Sequence, residues 1–451
     1  MSVTVAGAHG TTITLPFGPG NGPLAAQLAG VISAGVENGS IFAYESFGGP
    51  IPNPPPGETG EFIVTTPQIA KLPAAYTAVV MDASSATIMG GGGANESVLA
   101  GLGNLTFFGD GGSGTIVTSD GTGDGNNLIV LNGNASGMGG DWQVNTGFGN
   151  DTIAALTGND TINAGGGNNS ILLGSGNDLV NSQGNDTIVG GSGNATVGVT
   201  GMHDVVVSGG SGNLTFLNGA GNATVQGGTG SATIVGGQGG GVFQGGSGGN
   251  NLIYGGAGAT TIFGGGNGDS LFAGSGPDQV VYAGSGNETL SAVFDANGAM
   301  MTAGNGNDQV TGGVGNDTLV AGTGNETATG GGGADQFQFD NGDAGGKATI
   351  TDFSAAQGDR VALLGYNPNQ VQQALAHEQI SGGNTTITLA DNTTITFIGV
   401  TNLNASDFVT GGNPGGGCGM GHGNGLGHGM GNGGHDNGLG NGGHDSGFGH
   451  G

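Results

Sequence analysis

"GGVGNDTLV" occupies residues 312–320, after "AGNGNDQVT" (303–311) and before "AGTGNETAT" (321–329). Each nonapeptide carries an acid at its sixth place and, two residues later, an apolar or small residue. The first six residues, rich in Gly and Asn, read as a turn in which Gly supplies positive φ. The last three read as a short strand with its middle side chain inward. One such unit cannot bury its apolar residue alone, so units must stack. Two units then make one flattened coil of about 18 residues.

The acid slot can be followed through the chain in steps of nine, with occasional eights and tens. It reads Asp151, Asp160, Asn169, Asp178, Asp186, Ala195 and Asp204. From Leu214 to Thr260 it holds no acid. Asp269, Asp278 and Glu288 follow, then a gap, then Asp308, Asp317, Glu326 and Asp335. Two residues after each slot runs an apolar ladder from Ile153 to Phe337. Val206 and Val280 are expected among its rungs, and Ala328 is the weak one.

Units such as "GSGNDLVNS" (174–182), "GGSGNATVG" (190–198) and "GGVGNDTLV" resemble the GGxGxDxUx nonapeptides of RTX (repeats-in-toxin) proteins, over roughly residues 147–340. The resemblance implies an all-β fold, a parallel β-roll or β-solenoid, with Ca²⁺ bound in the turns. It also implies release from a Gram-negative bacterium through a type I secretion exporter. Ca²⁺ takes six to eight oxygens, partly carboxylate and partly backbone carbonyl. Turns on one edge recur every second unit, so acids eighteen apart should face each other. Asp160 pairs in this way with Asp178, Asp186 with Asp204, Asp308 with Glu326, and Asp317 with Asp335. Asp151 meets Asn169, a weaker pair. Asp269 and Glu288 are nineteen apart, and Asp278 has no clear partner. The expected picture is two calcium zones flanking a metal-poor middle.

Composition agrees. Of 451 residues 112 are Gly; 32 are Asp or Glu and only 3 Lys or Arg, a formal net charge of −29. Such a chain does not suit nucleic acid, whose phosphates need cationic partners. Its carboxylates repel one another until a cation screens them. The single Cys, Cys418, allows no disulfide within the chain. No run of about 18 apolar residues suggests a transmembrane segment, and the N-terminus lacks the basic and apolar regions of a Sec-type signal.

Five regions are expected. Residues 1–86 have no decisive pattern beyond a short helix in "PLAAQLAGVISAGV" (23–36). Residues 87–146 read as degenerate coils, with Trp142 at the roll entrance. Residues 147–340 are the roll. Residues 341–411, with alternating Thr/Ile runs and a short helix in "NPNQVQQALAHEQI" (367–380), resemble the C-terminal cap of RTX exoproteins, which carries the secretion signal. Residues 412–451 form a Gly/Asn/His-rich tail, expected to be disordered, whose His422, His428, His435, His444 and His450 could hold Zn²⁺, Cu²⁺ or Ni²⁺ loosely.

No HExxH motif occurs, and Gly245–Gly249 matches GxSxG only inside the glycine repeat. The favoured reading is a non-enzymatic extracellular structural, adhesive or surface-layer component without catalytic residues. The alternative is a secreted enzyme with its site in residues 1–146. Ice binding by the Thr column beside the acids is a third idea, and strand preference already explains that column. The residues following the ladder should point outward. One outward column reads Leu217, Val235, Tyr254, Phe272, and is a candidate self-association face unless the N-terminal segment folds back over it. On the opposite sheet the expected column is Val207, Gln226, Gln244, Phe263, Val281.

Overall fold

The computed structural model describes residues 1–90, 95–132 and 139–411. The tail histidines and Cys418 lie outside the described residues. The chain is a parallel β-roll with two sheets. Sheet 1 runs from Ile41–Ser46 to Thr394–Phe397, and sheet 2 from Gln68–Lys71 to Phe408–Gly411. Successive strands alternate between the sheets, and each pairs in parallel with the strand one coil earlier. Ile153 thus lies beside Ile171, and Ile171 beside Ile188. At about 4.8 Å per coil, the strands of sheet 1 stack to a rod of about 80 Å.

The core is a ladder down the middle of the roll. Sheet 1 contributes Val144, Ile162, Val180, Val197, Phe216 and Ile234 in one unbroken register. Sheet 2 contributes Ile153, Ile171, Ile188, Val207, Val225 and Phe243. All twelve are nearly free of solvent. Two expected rungs are corrected. Ile188 pairs with Val207, so Val207 points inward and Val206 is exposed. Ile262 pairs with Val281, which is fully buried in place of Val280. The outward column of sheet 2 therefore reads Ser208, Gln226, Gln244, Phe263, Tyr282, not Val207 to Val281.

Coils already exist well upstream of residue 147. Phe62, Val79, Val98 and Ile116 continue the sheet 1 ladder towards the N-terminus. Ahead of them stand an antiparallel hairpin, β1 (Ser2–Ala6) with β2 (Thr12–Pro16), and helix α1 (Gly22–Asn38). The helix starts with Pro23 in its first turn and stops at Gly39, which takes the left-handed conformation. Its Ala25, Ala29 and Ile32 pack with Val5 and Leu15 onto Ile63, Val80, Leu99 and Val117, the outward residues of the first sheet 1 coils. The hairpin and helix thus cover the outer face of the early coils rather than the Leu217–Phe272 column. The entry to α1 is clamped by Asp120, whose carboxylate accepts the backbone N–H groups of Gly18, Gly20 and Asn21 at 2.5, 2.7 and 3.0 Å. Glu61 is fully buried on this covered face, and burial pushes its carboxyl up to about 8, so it stays neutral near pH 7.

At the other end the pattern turns antiparallel. Helix α2 (Gln370–Ala376) precedes three strands, Gln379–Ser381, Asn384–Thr388 and Thr394–Phe397. The last of these pairs antiparallel with its hairpin partner and parallel with Lys347–Ile350, so it ends the sheet 1 ladder. Among the described residues, no helix is long and apolar enough to cross a membrane.

Candidate metal centres in the turns

The slot residues form one row on each edge of the roll. The sheet 1 row contains Asp160, Asp178, Ala195, Leu214, Ala232, Asn251, Asp269, Glu288, Asp308 and Glu326. The sheet 2 row contains Asp151, Asn169, Asp186, Val205, Ala223, Gly241, Thr260, Gln279, Ala299, Asp317 and Asp335. The acids in both rows are buried.

Two expected ligands fall outside the rows. Asp204 stands opposite Asn185, accepts no slot hydrogen bond from Asp186, and is exposed; Val205 fills its slot. Asp278 is exposed with φ of 54°, and Gln279 takes the slot. In each case one extra residue is absorbed before the strand, which moves the acid out of phase. The metal-poor middle is therefore lopsided: four successive slots on the sheet 1 edge lack an acid (Ala195, Leu214, Ala232, Asn251), against six on the sheet 2 edge (Val205 to Ala299).

The aspartate slots share one geometry. A carboxylate Oδ1 accepts the backbone N–H of the slot one coil earlier: Trp142 to Asp160 at 2.8 Å, Asp160 to Asp178 at 3.0 Å, Glu288 to Asp308 at 2.9 Å, and Asp317 to Asp335 at 2.9 Å. The second oxygen of Asp151, Asp160, Asp308 and Asp335 is buried with no hydrogen-bond donor, as are both oxygens of Glu288. A buried carboxylate oxygen without a donor is costly unless a cation meets it. Turn backbones supply further oxygen: a Cβ on Gly176 would collide with Gly158 O, and one on Gly306 (φ 147°) with Gly286 O. Only Gly lets these carbonyls approach so closely.

Among the described residues, no three of His, Cys, Asp or Glu converge on one point. A cation here would take few carboxylates and fill its shell with backbone carbonyls. This suits Ca²⁺, which accepts mixed oxygen ligands in flexible geometry, better than Zn²⁺, which wants nitrogen or sulfur.

Burial raises several of these acids. Asp160 is pushed up to about 7, Glu326 to about 8 and Asp335 to about 6, and Asp151, Asp178 and Asp317 are raised too. Glu288 is raised by burial and by Asp308 beside it. A bound cation reverses this by favouring the ionised form.

Asparagine in the slot behaves differently. Asn169 Nδ2 donates to Ala164 O at 3.1 Å and to Asp186 Oδ1 at 2.8 Å. Asn251 Nδ2 does the same to Gly246 O and Asp269 Oδ1, both at 2.8 Å. The amide supplies from within the protein the bridge between turn carbonyl and next acid. Asn169 is thus satisfied without a metal. Sequence reasoning passed over Asn127, whose backbone N–H and Nδ2 both donate to Asp151 Oδ1, and Asp359, which accepts Asp335 N–H at 3.1 Å. Both lie just beyond the clear repeat, and their signal was an Asn or Asp between a turn and a strand at irregular spacing.

Stacked coils whose buried acids line the turns define a calcium-binding parallel β-roll. Residues 145–180, 182–197, 245–280 and 302–337 match the family model of the RTX calcium-binding nonapeptide repeat. The chain therefore carries RTX-type repeats in several copies, and the ligand of such repeats is Ca²⁺. No curated protein matches it in sequence. Among solved structures it is similar to the extracellular lipase LipA from Serratia marcescens, at 17% identity and a TM-score of 0.24. That likeness covers 52% of this chain and 40% of the lipase, and carries no argument about function.

Proposed function

We propose that this chain is a non-enzymatic extracellular rod, folded by calcium after export and acting by lateral association as a surface-layer, matrix or adhesive component. The observation that carries this reading is one outward column of sheet 1. It is apolar at Ile63, Val80, Leu99 and Val117, where α1 covers it. It becomes Asn145, Asn163 and Asn181, hydrogen-bonded side chain to side chain at 2.6 and 2.7 Å, with Asn163 and Asn181 partly exposed. It then turns apolar again at Leu217, Val235, Tyr254 and Phe272, which lie in register. Tyr254 and Phe272 stack with ring centroids 4.6 Å apart and planes 11° apart, and Leu217 is 47% exposed. A solvated column is served by asparagine, as the chain itself does two coils earlier. An uncovered apolar one suits contact with a second copy.

The double variant Tyr254→Asp plus Phe272→Asp tests this. In calcium it should keep its β signal and elute as a monomer, while the parent elutes larger. Parent and variant both eluting as monomers would remove self-association through this face.

Export through a type I exporter accounts for the calcium requirement, since low cytosolic calcium leaves the chain unfolded for passage. Residues 341–411 are proposed to carry the address. Fused to a passive reporter in a host with the cognate exporter, they should bring the reporter into the medium. A reporter retained inside while the full chain leaves would locate the signal elsewhere.

A further inference from the structure

The sheet 2 row lacks an acid at Ala299, directly before Asp317. The turn leading to Ala299 is unusual. From ladder residue Leu290 to ladder residue Met301 is 301 − 290 = 11 positions, against 319 − 310 = 9 from Val310 to Leu319. The longer turn, "AVFDANG" (292–298), has inverted polarity. Val293 and Phe294 are 50% and 62% exposed, Phe294 lying beside Phe272 with ring centroids 6.4 Å apart, whereas Asp295 is 1% exposed. A turn that shows two apolar residues to solvent in order to bury a carboxylate needs a reason.

Asp295 Oδ1 accepts the backbone N–H of Asn297 at 2.8 Å and its Nδ2 at 3.3 Å. Its Oδ2 is buried and has no donor. Asp317, the next acid along the row, spends its two oxygens on Ala299 N–H and Gly313 N–H, both at 2.7 Å. A Cβ on Gly313 would collide with the carbonyl oxygens of both Ala292 and Asp295, so the inserted turn's carbonyls lie against the Asp317 turn. The region therefore holds two carboxylates, one with a free buried oxygen, and clustered carbonyls, the donor set a hard divalent cation takes.

We infer that Asp295 supplies, from an inserted turn, the carboxylate that Ala299 lacks, and with Asp317 holds an additional Ca²⁺ outside the nonapeptide pattern. Asp295 lies between the matched segments 245–280 and 302–337, and no repeat position corresponds to it. The inference rests on calcium binding by the roll as a whole. It extends the sheet 2 calcium run one coil into the metal-poor middle.

The test counts calcium on the full chain at saturation, by equilibrium dialysis with elemental analysis. Asp295→Asn should bind about one Ca²⁺ fewer than the parent, since the amide removes the anionic oxygen and keeps the acceptor towards Asn297. The double variant Asp295→Asn plus Ala299→Asp, which moves the acid back to the regular slot, should recover the parent's count. An unchanged count in Asp295→Asn would overturn the assignment. If Asp295→Asn alone does not fold, the double variant decides: folding with the parent's count supports the site. Failure to fold, or a lower count, makes Asp295 a prop for the turn instead. A parent that binds no calcium would be a failure of the broader reading, and is told apart by its own count.

Discussion

Removal of calcium at pH 8 is expected to abolish most of the β signal in circular dichroism, and calcium at roughly 0.1–1 mM to restore it. At that pH the metal-free roll would have to ionise buried acids whose second oxygens lack donors, such as Asp151, Asp160 and Asp335. It would do so within a chain of net charge −29. The pH dependence has a definite sign. Burial raises several slot carboxyls in the folded, metal-free roll, to about 6 at Asp335, about 7 at Asp160 and about 8 at Glu326. A raised carboxyl gives stability that is full below its unfolded value near 4 and is lost as pH rises through the folded value. The metal-free chain should therefore keep more β structure at pH 5 than at pH 8. Protons should also compete with calcium, so half-saturation at pH 5 should need more of it. Equal β content with chelator and with calcium at pH 8 would show that the turns do not depend on the metal.

Phe243→Ala is expected to cost about 3–5 kcal/mol, the usual range for emptying a fully buried aromatic site. Phe243 has no exposed surface and stands between Val225 and Ile262 in the sheet 2 ladder. The slots beside it are Ala223, Gly241 and Thr260, so neither a carboxylate nor a cation can take over its role. The middle of the roll is held by apolar packing, ladder hydrogen bonds and the amide bridge of Asn251. Urea unfolding in saturating calcium should show the loss. Hydrogen exchange should show residues 223–262 opening first while the coils around Asp317 and Asp335 stay protected, as nearest-neighbour stability in a solenoid implies. A variant within about 1 kcal/mol of the parent would mean that the core closes over the gap or that the middle adds little stability.

These two results concern different forces, and the division between them was legible from residues 312–320 outward. The nine-residue period, the acid at the sixth place and the apolar residue at the eighth are short-range chemistry repeated many times. They were enough for the roll and the calcium. What the sequence could not decide is phase where a turn gains a residue. In "DVVVS" (204–208) and "DQVVY" (278–282) neighbouring residues can each serve as the rung. The choice of Val207 and Val281 comes from pairing with Ile188 and Ile262 in neighbouring coils. That choice removes Asp204 and Asp278 from the calcium rows.

The early coils were obscure for a related reason. Strand stacking fixes where a strand lies and leaves turn length free, so Val98, Ile116 and Val144 stack in register although separated by 18 and 28 residues. Asp295 has no period at all, and only the fold sets its turn against the Gly313–Asp317 turn. The sequence by itself determined the kind of coil and its metal, because both follow from residues within one unit. The tertiary structure decided which acids face the turns, how far the roll extends and which outer column is covered, because these depend on contacts between coils and on a helix returning from far along the chain.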